Sequence, residues 1–370
     1  MRCALKVMAG FALAFVAVEA ALRLLGFPSV NTNTFDEHGL VIFKPNQSFL
    51  VKDRCYASVL RSNAEGFHAR DYAVDKPAGV YRIALLGDSF VEAVQVPVEK
   101  SFPYLLEQKL NQGAAAASSS RRYEVIPFGK SGNGALVNAQ YLRRYALKYR
   151  PDLVIEAFVT NDLEDDAKLG AGEPAAPTGS PLALALKHFF LERSLAFERW
   201  WMNLAVIRSQ WAAKSASPRG LAATSTPPSR LDSFVEAQTE PQSGGALNLW
   251  ANEERSLKAL DALAEESGAK FLLVQLAEGY LIDPPELQVR YRATPQEAAR
   301  FSPDLARQKL ATMAARAGYP FFSAVPYFAQ AFKITGTLPI YPCDNHYNEL
   351  GHQEMAEALY GYLRDSMRLR

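Results

Sequence analysis

The sequence predicts an α/β protein built on a parallel sheet with helices on both faces. Two observations predict it. From about Val80 to the C-terminus, apolar runs of strand length alternate with helix-length patterns, and chain-breaking residues fall between them. At 370 residues with 49% apolar and 11% aromatic content, the chain has enough material for a substantial core.

The elements follow in order. Residues 81–86 read as a buried strand, 99–110 as a helix, 123–127 as a strand and 135–149 as a helix. Arg150-Pro151-Asp152 breaks the chain before a third strand at 153–159. Residues 252–267 are helical with Gly268 as their stop, and 271–276 form a strand. A helix at 303–317 is stopped by Gly318, a short strand covers 320–324, and a closing helix spans 348–367. Residues 168–248 interrupt this rhythm. Their ends, 170–180 and 215–245, are rich in Pro, Ala, Ser, Thr and Gly and read as flexible connections. Between them, 182–211 is apolar and helical, with Phe189, Phe190, Trp200 and Trp201, and reads either as a lid over a cleft or as cover for an exposed flank.

The first 28 residues differ in kind. Arg2 and Lys6 precede the apolar run 7–18, which Glu19 and Arg23 end before Gly26-Phe27-Pro28. This is the pattern of a signal peptide or membrane anchor, with cleavage near Val18-Glu19-Ala20 and retention both open. A spanning helix needs about 20 apolar residues, and residues 7–25 approach that if one Glu and one Arg are tolerated near the far end. Either form of export places the remainder in the periplasm or another extracytoplasmic space, tethered to the inner membrane where residues 7–25 are retained. Residues 29–79 read as an extended lead-in that wraps the main domain, which is 80–370 with its insertion at 168–248. In an oxidising compartment Cys55 and Cys343 are candidates for a disulfide, the other reading being two buried thiols. A net charge of +1, from 40 basic and 39 acidic residues mixed along the chain, leaves no single-sign field for nucleic acid.

Open parallel sheets bind ligands at the carboxyl ends of their strands. Gly87-Asp88-Ser89 follows the first strand, Gly129-Lys130-Ser131-Gly132 the second, and Asn161-Asp162 the third, while Asp344-Asn345-His346 precedes the last helix. A serine hydroxyl needs a base, and the base needs a carboxylate to hold its tautomer. Ser89 is therefore the candidate nucleophile, His346 the base and Asp344 its orienting acid. The backbone N–H groups of Ser89 and Gly132 and the Asn161 side-chain amide are candidate donors to an oxyanion. Gly129 reads as a turn residue, Asp88 as a structural holder of its turn, and His352, the rival base, as a capping or packing residue.

These four blocks, in this order, resemble those of the SGNH hydrolase superfamily, the GDSL-type esterases and acylhydrolases. The match spans 87 to 346. It implies a three-layer α/β/α fold with about five parallel strands in flavodoxin-like order. It departs from the pattern at Val159 and Pro127, where a glycine and an asparagine are common, and in placing Asp344 two rather than three positions before His346. Exported bacterial members with an N-terminal anchor handle O-acyl groups on envelope or secreted polysaccharides, so the resemblance implies an acylhydrolase or O-acyltransferase acting on an acylated carbohydrate or other ester. Two alternatives are a lipase or lysophospholipase, suggested by residues 182–211, and a non-catalytic glycan-binding or scaffolding subunit.

Other motifs fail. A phosphate loop ending in Gly129-Lys130-Ser131 requires Gly at 124, which is Glu, and Asn133 rules out a Gly-x-Ser-x-Gly elbow around Ser131. Histidines at 38, 68, 188, 346 and 352 have no paired ligand spacing, and the mechanism needs neither metal nor organic cofactor.

Overall fold

A computed structural model describes residues 2–25, 31–170, 186, 189–190, 193–201, 203–204, 233–291 and 293–369. The chain divides into two compact units. One comprises Met1–Lys44 with Ala175–Pro228, the other Pro45–Pro174 with Ser229–Arg370. The expected break at Gly26-Phe27-Pro28, most of the apolar stretch 182–211, and the linkers at 171–180 and 215–232 lie outside the described residues.

In the first unit, the apolar N-terminal run forms a helix, Arg2–Leu24. The two charged residues near its C-terminal end, Glu19 and Arg23, are engaged. Arg23 Nε donates to Glu19 Oε1 at 2.6 Å, and Glu19 Oε2 accepts from Ser194 Oγ and the Ala196 N–H, both at 2.9 Å. A carboxylate satisfied by protein donors breaks the apolar face where a spanning segment needs it continuous. Among the described residues no helix is long and apolar enough to cross a membrane. The spanning helix expected over 7–25 is not found among them. Two short antiparallel strands, β1 (Asn33–Phe35) and β2 (Val41–Phe43), follow, their turn held by Asp36 Oδ1 accepting from the N–H groups of His38 and Leu40.

The second unit opens with a hairpin where the sequence suggested only extended chain. Strand β3 (Ser48–Lys52) pairs antiparallel with β4 (Ala57–Arg61), and Phe49 and Leu60 point to the buried side. Beyond it, the buried Arg82 guanidinium donates to the carbonyls of Ala73, Val74 and Tyr149 and pairs with Glu124, stitching the lead-in to the sheet.

The main sheet has five strands: β5 (Val80–Gly87), β6 (Arg122–Gly129), β7 (Leu153–Phe158), β8 (Lys270–Gln275) and β9 (Phe321–Ser323). They are all parallel, in the order β6-β5-β7-β8-β9, which is the 2-1-3-4-5 order of flavodoxin-like folds. β7 lies in the middle and every residue in it is buried, as a strand covered on both faces requires. Right-handed crossovers place the helix between β5 and β6 (Phe102–Ala116) on one face and the helices after β6 and β7 on the other. Accordingly Phe102–Ala116 packs with the closing helix Glu349–Asp365, and Ala135–Tyr141 and Asp162–Gly170 pack with Gly244–Glu266. The direction of winding reverses at β5. The loops after β5 and β7 diverge there and open a crevice at the carboxyl edge.

The strands sit close to their expected positions, and the helices differ at their starts. Val98–Lys100 forms a separate 3₁₀ turn, so the first long helix begins at Phe102, with Pro103 in its opening turn. The helix expected from 252 starts at Gly244, capped by Ser243 Oγ accepting the Ala246 N–H at 3.1 Å, inside a stretch that composition marked as a linker.

Candidate active site

β5 delivers Gly87-Asp88-Ser89 to the switch point. Asp88 is fully buried and caps the short helix Ser89–Glu92, its Oδ1 accepting the Phe90 N–H at 2.9 Å. This bears out its structural reading. Gly129, at the end of β6, serves a different purpose from the turn expected of it. A Cβ there would lie 2.2 Å from the Glu92 nitrogen and 2.5 Å from the Val91 carbonyl carbon, so glycine lets the strand end pack against the nucleophile's helix.

The structure brings Ser89, His346 and Asp344 into one hydrogen-bonded line. Ser89 Oγ lies 2.7 Å from His346 Nε2, and His346 Nδ1 lies 2.5 Å from Asp344 Oδ1. The serine proton has a second acceptor, Asp88 Oδ2 at 3.0 Å, but the imidazole is nearer. Burial pushes His346 toward the neutral form; the Asp344 bond and charge, helped by Asp88 and Glu92, outweigh it and raise its pKa above the usual 6.5. Burial pulls Asp344 upward, yet the bond and charge of His346, followed by the bond from Gln95, leave its pKa below the ordinary value. Phe90 packs 5.0 Å from the imidazole, centroid to centroid. Asn345 Nδ2 donates to Tyr291 Oη at 2.8 Å, and Tyr347 Oη accepts the Ala277 N–H at 2.8 Å, so the residues flanking His346 are held to the main body.

The other candidate donors lie on the neighbouring loops. Gly132 has φ +81°, and a Cβ there would meet nothing within 4 Å; the left-handed backbone, not crowding, calls for glycine. Asn161 Nδ2 is 3.2 Å from Asp165 Oδ2 and 3.5 Å from Asp88 Oδ2, at the mouth of β7. The loop beneath it is fixed by Glu278, which accepts from the Thr160 N–H at 2.9 Å and the Thr160 hydroxyl at 2.8 Å. Glu92 binds both Lys130 Nζ and Ser131 Oγ, tying the glycine loop to the nucleophile's helix through an ion pair that is almost wholly buried. Sequence reading missed Glu92 and Glu278. Glu92 falls three residues after Ser89, and a charge in an otherwise apolar block was the available signal. The disulfide between Cys55 and Cys343 is formed.

The chain has a three-layer α/β/α architecture on a parallel sheet of flavodoxin-like order. No family model and no curated protein matches its sequence. Among solved structures it is similar to TesA, with 12% identity and a TM-score of 0.40 over 76% of this chain and 98% of that one. It is also similar to the acetyl xylan esterase AlAXEase, with 13% identity and a TM-score of 0.42 over 76% and 99% of the respective chains. The acetylxylan esterase of Geobacillus stearothermophilus gives 13% and 0.41 over 77% and 93%. Likeness at that level assigns nothing to individual side chains.

His352 does not reach the serine. Its Nδ1 accepts the Phe102 N–H at 3.2 Å, it stacks on the Phe102 ring, and burial pushes its pKa down to about 3. It is a packing residue of the closing helix. Among the described residues no group of three or more His, Cys, Asp and Glu side chains is arranged to hold a metal ion.

Below the crevice lies a set of buried carboxyls. Glu156, on β7, accepts from Asn138 Nδ2 at 2.7 Å, and burial, with the charges of Asp166 and Asp88, pushes its pKa up to about 8. Burial likewise raises Asp162 and Glu253 well above their usual values and Asp166 to about 6. A carboxyl raised on folding binds its proton more tightly in the folded state, so stability is full below the unfolded pKa and falls as pH rises through the folded one. The expected result is that thermal stability declines from pH 5 to pH 8. Glu156→Gln, which keeps the Asn138 bond, should flatten that decline and be more stable at pH 8 by a few kcal/mol. Thermal unfolding at matched pH values checks it; parallel curves for both proteins would refute it.

Proposed function

We propose that the chain is a serine esterase or O-acyltransferase that removes or transfers acetyl groups of an envelope or secreted polysaccharide. The carrying observation is the line from Ser89 Oγ through His346 to Asp344 Oδ1. Ser89 Oγ attacks the acyl carbon while its proton passes to His346 Nε2, and Asp344 stabilises the imidazolium. The Ser89 and Gly132 N–H groups and the Asn161 amide receive the negative charge that builds on the carbonyl oxygen. The intermediate collapses, His346 returns the proton to the departing alkoxide, and an acyl-Ser89 ester remains. A water or sugar hydroxyl then gives its proton to His346 and takes the acyl group, and His346 passes that proton to the departing Ser89 Oγ, which restores both residues.

The substrate class follows the resemblance of the four blocks to exported enzymes that act on O-acyl polysaccharides. An extracytoplasmic location is supported by the basic-then-apolar N-terminus and by a disulfide, which persists in oxidising compartments. Purified protein should hydrolyse a chromogenic acetyl ester, and mass detection of acetyl groups on added glycans separates transferase from esterase. No turnover and no labelling by a serine-directed phosphonate would refute the enzymatic reading. Asn161→Ala should lower kcat for the same ester by about 10²- to 10³-fold. An unchanged kcat would remove Asn161 from the oxyanion site.

A further inference from the structure

The triad acid is held by residues that none of the four blocks contains. Asp344 Oδ1 faces His346 and Oδ2 accepts from Gln95 Nε2 at 3.1 Å, while the Tyr56 phenol lies close enough for the carboxylate charge to act on it. Gln95 comes from the turn after the nucleophile's helix. Tyr56 comes from the tip of the β3–β4 hairpin, far upstream in sequence. That tip is fixed beside Asp344 in three ways: the Cys55–Cys343 disulfide joins the residue before Tyr56 to the residue before Asp344, the Cys343 N–H points at Cys55 Sγ at 3.3 Å, and the Tyr56 and Tyr341 rings lie 5.0 Å apart. Burial and the Asp344 charge push the Tyr56 phenol up to about 12, so it stays protonated across the working range of an esterase.

We propose that the hairpin tip is a brace for the catalytic acid, with Tyr56 and Gln95 as positioning residues, and that the Cys55–Cys343 bond makes turnover depend on the oxidised state. The inference rests on the serine-hydrolase reading for its kinetic consequence but not for its geometry. A dithiol reductant transfers two electrons and two protons to the disulfide, leaving two thiols and becoming a disulfide itself. The covalent link between tip and catalytic loop is then gone. Tyr56 then stays beside Asp344 only through its contact with Tyr341, and Asp344 gains freedom to leave His346. An orienting group misplaced by a fraction of an ångström loses much of its effect.

The groups acting on His346 are Asp344, Asp88 and Glu92, and those acting on Asp344 are His346, Gln95 and Tyr56, so the expected signature is specific. Tyr56 and Gln95 draw charge toward their side of the carboxylate. Tyr56→Phe removes the phenol hydroxyl, concentrates charge on the imidazole side and should raise the His346 titration midpoint by about half a pH unit. It should also lower kcat about tenfold with KM for a small acetyl ester unchanged. Reduction of the native protein should lower kcat by at least as much, about tenfold. Cys55→Ser/Cys343→Ser should match the reduced native protein and not respond to reductant. The experiment combines steady-state kinetics with and without dithiothreitol, near-ultraviolet circular dichroism to verify packing, and an NMR titration of His346 in native, reduced and Tyr56→Phe protein.

Full kcat in reduced, folded protein overturns the redox dependence. If reduction unfolds the chain, Tyr56→Phe, which retains the disulfide, decides the brace. An unmoved His346 midpoint in that variant overturns it, even where kcat falls through a general loss of stability. If native protein turns over no ester, the hydrolase reading fails, while the His346 titration still tests the brace.

Discussion

Ser89→Ala is expected to reduce kcat for an acetyl ester by about 10⁶-fold, the scale seen when the nucleophile of a Ser-His-Asp site is removed. The size follows from what the hydroxyl does. It supplies the hydroxyl 2.7 Å from His346 Nε2, and without it no acyl-enzyme forms and the imidazole has no serine proton to accept. Any residual turnover comes from donors that still polarise a bound carbonyl toward water. The substitution leaves the frame intact, because Asp88 Oδ1 still caps the helix through the Phe90 N–H and Gly129 still seats the strand end against Val91 and Glu92. Kinetics with phosphonate labelling measure the effect. Turnover within tenfold of the native protein would exclude an acyl-Ser89 pathway.

Much of this site was legible because its chemistry is concentrated in short blocks at strand ends. The apolar run 81–86 and the Gly-Asp-Ser that follows it place a hydroxyl at the carboxyl edge, and the structure puts Ser89 there with Asp88 capping the helix it opens. The reasons for the glycines were less legible. Gly129 reads as a turn and Gly132 as a close approach, and the structure reverses them, with Gly129 crowded and Gly132 left-handed, because sign of φ and packing distance leave the same residue type in the sequence. Residues acting through another side chain were not legible. Tyr56, Gln95, Glu92 and Glu278 reach their partners from separate segments, and the sequence does not encode those distances locally. The lead-in shows the same limit. Its alternation at 57–61 is too short to separate a hairpin from extended chain, and the hairpin is defined by its partner strand and by a disulfide to a residue 288 positions away.

Asp344→Asn is expected to lower kcat by about 10⁴-fold, and the surroundings of the carboxylate explain why so conservative a change is damaging. Gln95 Nε2 donates to Oδ2 of this side chain, and the Tyr56 phenol lies beside it. In the asparagine variant Gln95 selects the amide oxygen for its side, which turns the NH₂ group toward His346. An NH₂ donor facing Nδ1 requires that nitrogen to accept, so the imidazole proton moves to Nε2, the atom 2.7 Å from Ser89 Oγ, and the base is lost at the position where it is needed. The pH profile separates this from simple loss of charge. In the native protein Asp344 holds the His346 pKa above 6.5, so kcat/KM should rise with pH through a midpoint above that value, since only the neutral ring accepts the serine proton. Without the carboxylate charge the midpoint moves to lower pH, and a larger fraction of His346 is neutral at pH 7. If protonation alone limited the variant, it would recover under alkaline conditions. The tautomer error persists there, so the deficit should remain near 10⁴-fold at pH 9, and recovery to within tenfold of native at that pH would show that Asp344 acts through its charge rather than through orientation.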